Sequence, residues 1–134
     1  TFFHGHSYTG NPTACAAALA SLELMADPAY QANMARINAR HTEFARELES
    51  RPSTTNIRIR GTILAFEIPT GEEDSYFNNI RDRLYDAFMA QNVLLRPLGN
   101  TVYIMPPFII TDEQLETVYG VIRSTLDRAE SQSL

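Results

Sequence analysis

The stretch Gly5-His-Ser-Tyr-Thr-Gly-Asn-Pro-Thr-Ala-Cys-Ala-Ala-Ala-Leu19 runs a loop rich in glycine and hydroxyls straight into a helix. Gly5 and Gly10 permit close backbone approach and positive φ. Ser7 and Thr9 offer hydroxyl donors. Asn11 suits an N-cap and Pro12 the first helical position. A helix so opened presents unpaired N–H groups and the positive end of its dipole, which suits a phosphate. The same residues also make an ordinary tight turn and cap. Local chemistry alone leaves both readings open.

Reading outward, Pro12 to Met25 is Ala-rich and almost continuously apolar, which predicts a helix packed on most sides. Asp27-Pro28 stops it and starts another by cap and first-turn proline. There Met34, Ile37, Phe44 and Leu48 recur at helical spacing, with Arg36, Arg40, Glu43, Arg46 and Glu47 on other faces, until Ser50-Arg51-Pro52. From Asn56 the period becomes two. Ile57 and Ile59, then Leu64, Phe66 and Ile68, predict strands with a bulge or bend at Gly61. Pro69 to Asp74 reads as a polar turn, and Tyr76 to Gln91 as a helix with Phe77, Ile80, Leu84 and Phe88 on one face. Val93–Leu95 and Thr101–Met105 read as short strands around a Pro97-Leu98-Gly99-Asn100 turn. Thr111-Asp-Glu-Gln114 is a capping box opening a last helix with Leu115, Val118, Tyr119, Ile122 and Leu126 at helical spacing. The polar tail after Glu130 is expected to fray. The sum is an α+β fold: a long helix, then a small antiparallel or mixed sheet covered by helices on one side.

The 134 residues fit one domain. A net charge of −5 argues against a nucleic-acid partner. Cys15 is alone, so no internal disulfide forms, which fits a reducing, cytoplasmic setting. No apolar run approaches the roughly 20 residues that span a membrane. All 11 basic residues are Arg, so chemistry that needs a lysine amine is not completed by this chain. Lacking an initiator Met, the chain reads as a piece of a longer protein.

Arg96 follows an apolar strand-like run and precedes a rigid turn. Its planar fork suits a carboxylate, although a solvated surface arginine is an equally ordinary fate. Tyr103 and Met105 alternate on the next strand and could line the same pocket or simply pack. His4 and His6 would share a face if extended, but no Cys or carboxylate lies near in sequence and His41 is on another helix. A metal site is not expected. Cys15 reads as a small core residue. Glu23, Asp27 and the Glu72-Glu73-Asp74 cluster read as caps or solvated charge. Nothing suggests a nucleophilic triad.

Taken together, two runs carry a resemblance. His4-Gly-His-Ser-Tyr-Thr-Gly-Asn-Pro-Thr-Ala-Cys-Ala-Ala-Ala-Leu-Ala20 resembles the loop-plus-helix of class III pyridoxal-phosphate aminotransferases. Leu95-Arg-Pro-Leu-Gly-Asn-Thr-Val-Tyr-Ile-Met-Pro-Pro107 is similar to the Arg-Pro-x-Gly-x-x-x-Tyr-x-Met-Pro-Pro run of one subfamily. That subfamily moves an amino group from S-adenosylmethionine to 8-amino-7-oxononanoate in biotin synthesis. The resemblance implies a homodimeric enzyme of fold type I that binds pyridoxal 5′-phosphate. It implies that residues 1–11 are a phosphate loop of the large domain, 12–27 a connecting helix, and 28–134 the carboxy-terminal small domain. It implies that Gly5 and Ser7 contact the phosphate across the dimer interface, Ser7 standing where the family usually has Thr. Arg96 would bind the substrate carboxylate and Tyr103 would line the substrate pocket. The lysine that anchors the cofactor is absent, so this chain alone is expected to be inactive. Two alternatives stand: another class III aminotransferase acting on ornithine, GABA or a different ω-amine, and a non-catalytic α+β dimerisation module.

Overall fold

The computed structural model describes residues 3–7, 9–69 and 80–131. Four helices and three strands follow one another among the described residues. They are α1 (Pro12–Ala26), α2 (Pro28–Glu49), β1 (Thr55–Arg60), β2 (Ile63–Glu67), α3 (Ile80–Met89), β3 (Thr101–Ile104) and α4 (Asp112–Glu130). The fold is α+β, as the sequence pattern predicts. The sheet is antiparallel throughout, with strand order β1-β2-β3.

Asp27 serves two helices. Its N–H donates to the Leu24 carbonyl at the end of α1, and its carboxylate accepts from the Ala29 amide at the start of α2. Pro28 then supplies the preset φ of a first helical turn. The stop-and-restart read from Asp27-Pro28 is therefore made by one residue.

Gly61 is the first residue of a two-residue hairpin turn, closed by the Arg60↔Ile63 pair, and its φ is +59°. Such turns demand positive φ where glycine is unpenalised. The ladder irregularity lies instead between Thr55 and Arg58, at Asn56 with φ +49°.

Alternation divides the sheet into two faces. Leu64, Phe66, Val102 and Ile104 are buried, and Leu64↔Ile104 and Phe66↔Val102 are direct partners. They meet Ile37, Phe44 and Leu48 of α2, Leu84 and Phe88 of α3, and Leu115, Tyr119, Ile122 and Leu126 of α4 in one core. The other face keeps Arg58, Ala65, Glu67 and Tyr103 only partly covered or exposed. The helical stripes read from α2 and α4 are thus buried except for the partly covered Met34 and Val118, and the Thr111/Gln114 capping box is closed in both directions. An ionic seam joins the two helices. Arg123 donates to Glu47 and Glu116, and Arg40 donates to Glu116.

Four expectations are corrected. α1 has no buried residue, and Leu19, Leu22 and Leu24 are each more than 60% exposed. Its apolar residues surround the helix rather than forming one stripe, so packing against α2 covers few of them. Cys15 is accordingly exposed, not a core residue. Val93–Leu95 is not a strand. Asn92 ends α3 at φ +60°, Val93 N–H donates to the Phe88 carbonyl and Leu95 N–H to that of Val93. Those donors are occupied locally and build no ladder. β3 stops at Ile104, one residue short of expectation. The polar turn beyond Pro69, the first residues of the helix expected from Tyr76, and the tail from residue 132 lie outside the described residues.

Candidate functional site

The segment between α3 and β3 alternates exposed Leu94, Arg96 and Leu98 with buried Leu95 and Pro97. Leu95 and Pro97 are buried on either side of Arg96, while Arg96 itself is exposed. Beyond them, Leu98 and Thr101 exchange both backbone hydrogen bonds, at 2.9 and 3.0 Å. Gly99 sits at the turn with φ +61°. Asn100 fastens this turn to the end of β2: its carbonyl accepts from Ile68 N–H, and its buried side-chain amide donates to the Ile68 carbonyl. The backbone at Arg96 is therefore fixed, and its guanidinium makes no hydrogen bond or ion pair among the described residues.

Arg96 opens onto a cleft of about 710 Å³ lined by Arg81, Tyr85, Leu94, Arg96, Pro97, Leu98 and Tyr103. The volume is in the range of small-molecule sites. Arg96 and Tyr103, singled out in sequence, are thus brought together. Met105 is not. It lines a separate apolar groove with Ile104, Pro106, Pro107, Ile110 and Val118. Sequence reasoning missed Arg81 and Tyr85. Their i,i+4 spacing puts them on one face of α3, next to the buried Leu84 and Phe88. That polar pair beside the apolar stripe was the available signal.

The glycine loop is open. Phe3 to Ser7, Thr9 and Gly10 are all exposed. Thr9 closes a turn by accepting from His6 N–H on its hydroxyl and donating its own N–H to the His6 carbonyl. Gly10 takes φ +74°, and a side chain added at Gly5 would meet nothing within 4 Å. Tyr8 lies outside the described residues. One expectation changes here. Asn11 Oδ1 accepts from the Thr13 and Ala14 amides, and Cys15 N–H is bonded to the Asn11 carbonyl. Pro12 has no N–H, so the first-turn amides of α1 are already taken. An anion at this end meets the loop amides, the Ser7 hydroxyl and the helix dipole.

These groups fit one wall of a phosphate site. A hydroxyl, a glycine with open space where a side chain would stand and a helix N-terminus are the right groups, and no carboxylate stands in the loop. The anchoring amine is missing, because the chain has no lysine. None of the described residues lining the Arg96 cleft comes from the loop. Among the described residues no three His, Cys, Asp or Glu gather into a metal site.

Known proteins resemble this chain in sequence and fold. The aminotransferase class-III family matches residues 1–126. An adenosylmethionine-8-amino-7-oxononanoate aminotransferase of Synechococcus elongatus is 39% identical over 127 residues, which is 95% of this chain and 29% of that protein. A protein of the same name from Nitratidesulfovibrio vulgaris is 32% identical over 130 residues, 94% of this chain and 24% of its own length. Among solved structures, the PMP-bound form of an aminotransferase from Vibrio fluvialis superposes with a TM-score of 0.83 at 25% identity, covering all of this chain and 30% of that one. A transaminase solved with L-alanine gives 0.84 at 25% identity, covering all of this chain and 32% of that one. The chain therefore spans less than a third of the length of these relatives, and it belongs to the class-III aminotransferase family.

Proposed function

We propose that this chain is the carboxy-terminal portion of a pyridoxal-phosphate-dependent aminotransferase of biotin synthesis, which passes an amino group from S-adenosylmethionine to 8-amino-7-oxononanoate. The observation that carries the reading is the joining of Arg96 and Tyr103 in one cleft, with the Arg96 guanidinium unpaired among the described residues and its backbone flanked by the buried Leu95 and Pro97. Identity to relatives bearing that enzyme's name supports it.

In this reading residues 1–11 are the phosphate loop, 12–27 the connecting helix and 28–134 the small domain. When bound, pyridoxal phosphate supplies the electron sink that lets an amino group move between two substrates. The Ser7 hydroxyl and the Gly5 amide donate to phosphate oxygens, in the partner subunit's site of a homodimer. Arg96 pairs with the carboxylate of the keto substrate, and Tyr103 packs against the chain that carries it. The lysine anchor comes from outside these residues, so the isolated chain is inactive. A lone, unpaired cysteine suits a cytoplasmic setting, and no helix among the described residues is long and apolar enough to cross a membrane.

The test is turnover by the full-length protein. Activity is expected with S-adenosylmethionine and 8-amino-7-oxononanoate. Activity with ornithine or GABA alone would move the chain to another branch of the family. No transamination by a full-length protein that carries a lysine-bearing large domain would favour the non-catalytic module.

A further inference from the structure

Leu94 lines two hollows at once. One is the cleft of about 710 Å³ that holds Arg96 and Tyr103. The other is an apolar groove of about 460 Å³ that runs past Ile104, Met105, Pro107, Ile110 and Val118. Among the described residues Leu94 alone lines both. It is 66% exposed, so its side chain stands as a ridge between them. The backbone explains this pose. Leu95 N–H donates to the Val93 carbonyl, a three-residue turn centred on Leu94, and it is Leu95 that turns into the core. Arg96 lies two residues on, at most about 7 Å of backbone away. A ligand whose carboxylate sits on Arg96 and whose tail runs toward Leu94 therefore meets that side chain early. The groove beyond it carries no charged residue among its described lining.

We propose that Leu94 sets the length of aliphatic chain that the Arg96 cleft accepts, as a wall between the cleft and the apolar groove. This rests on the cleft being the substrate-carboxylate site proposed above. Leu94 acts by exclusion. It leaves Arg96 and Tyr103 as they are and shuts the groove to the tail. Cutting its side chain back to Cβ joins the two hollows. Each methylene that then leaves water for the groove adds about fourfold in affinity.

Calorimetric titration of the full-length protein with straight-chain carboxylates from hexanoate to dodecanoate tests this. In wild type the gain per methylene is expected to stop within the series. In Leu94→Ala it is expected to continue, so that dodecanoate binds about tenfold or more tighter than it does to wild type. Thr117 is an exposed residue of α4 that lines the groove. Adding Thr117→Phe to Leu94→Ala refills the groove and is expected to restore the stop. A gain without a stop in wild type, a Leu94→Ala profile equal to wild type, or a gain that survives Thr117→Phe overturns the wall. In each of these cases a loss of all the acids in Arg96→Gln leaves the role of Arg96 standing. Wild-type binding in Arg96→Gln overturns the carboxylate reading of the cleft, and the wall with it. Should Leu94→Ala fail to fold, Leu94→Phe carries the same test. It thickens the wall and is expected to move the stop to a shorter chain, and an unmoved stop overturns the proposal.

Discussion

His41 Nδ1 lies 2.7 Å from the phenolic oxygen of Tyr119, a residue 78 positions away. His41 Nε2 lies 3.1 Å from the Thr62 carbonyl. A carbonyl only accepts, so Nε2 carries the proton, the neutral ring accepts at Nδ1, and Tyr119 donates to it. One imidazole thereby ties α2 to the β1–β2 turn and to α4. Burial pushes the Tyr119 phenol up to about 12, so the donor persists at every ordinary pH. The Tyr119 ring also stacks on Phe44, with centroids 4.3 Å apart.

Tyr119→Phe keeps the ring and the stack and removes only the donor. Nδ1 is then a buried acceptor with no partner. The expected loss is about 1–3 kcal/mol of stability, read from the urea midpoint with an unchanged m-value. A midpoint equal to wild type would mean that the hydrogen bond contributes nothing net.

Burial also holds the His41 imidazole below its ordinary value of 6.5. The unfolded chain takes up a proton near 6.5 that the folded chain still refuses. Stability is therefore expected to be level above about pH 7 and to fall as pH drops below 6.5, stopping at the lower folded value. The slope from this one group is at most about 1.4 kcal/mol per pH unit. The ion pair with Arg123 holds the Glu116 carboxyl below 4.5, so its contribution is present above 4.5 and lost further into acid. His41→Gln is expected to flatten the first window and leave the second. Parallel pH profiles for wild type and variant would contradict the assignment.

Gly99→Ala places a Cβ at φ +61°, a left-handed conformation that costs a non-glycine residue roughly 1–2 kcal/mol. Because that turn fixes Arg96, the substitution is expected to lower the calorimetric Tm and to weaken carboxylate binding together. A lowered Tm with intact binding would show that Arg96 is positioned by Leu95 and Pro97 alone.

Thr111→Ala removes the hydroxyl that accepts from Gln114 N–H at 3.2 Å, and about 1 kcal/mol of stability is expected to go with it. Gln114→Ala loses the reciprocal bond to Thr111 N–H. The double variant is expected to lose less than the sum of the two, since each half of the box holds the other in place. Strict additivity in a denaturation cycle would mean two independent caps.

Periodicity carried most of the fold. The stripes Ile37-Phe44-Leu48 and Leu115-Tyr119-Ile122-Leu126 and the alternation Leu64-Phe66 were readable because burial repeats with the geometry of the element. Capping chemistry at Asp27 and Thr111 was readable because it is local. Val93–Leu95 misled because its apolar side chains fit a strand, whereas its amides turn back on Phe88 and Val93, and side-chain pattern is blind to amide partners. α1 misled because an apolar composition predicts burial without stating what does the burying. In the cleft, Arg96 and Tyr103 were legible from a short linear motif. Arg81 and Tyr85 were not, since they come from α3 and meet Arg96 only through the folded path of residues 90–95.

No linker separates α1 from α2, because Asp27 ends one helix and caps the other. At 1.5 Å per residue, the 15 residues of α1 make an arm of about 22 Å. A rotation of about 10° in the two torsions of this single residue sweeps the far end, where Ser7 and Gly5 sit, through about 4 Å. Angular error at Asp27 is thus multiplied into positional error at the glycine loop. Pro28 stiffens one side of that pivot, and the position of the loop is decided at a residue one whole helix away from it.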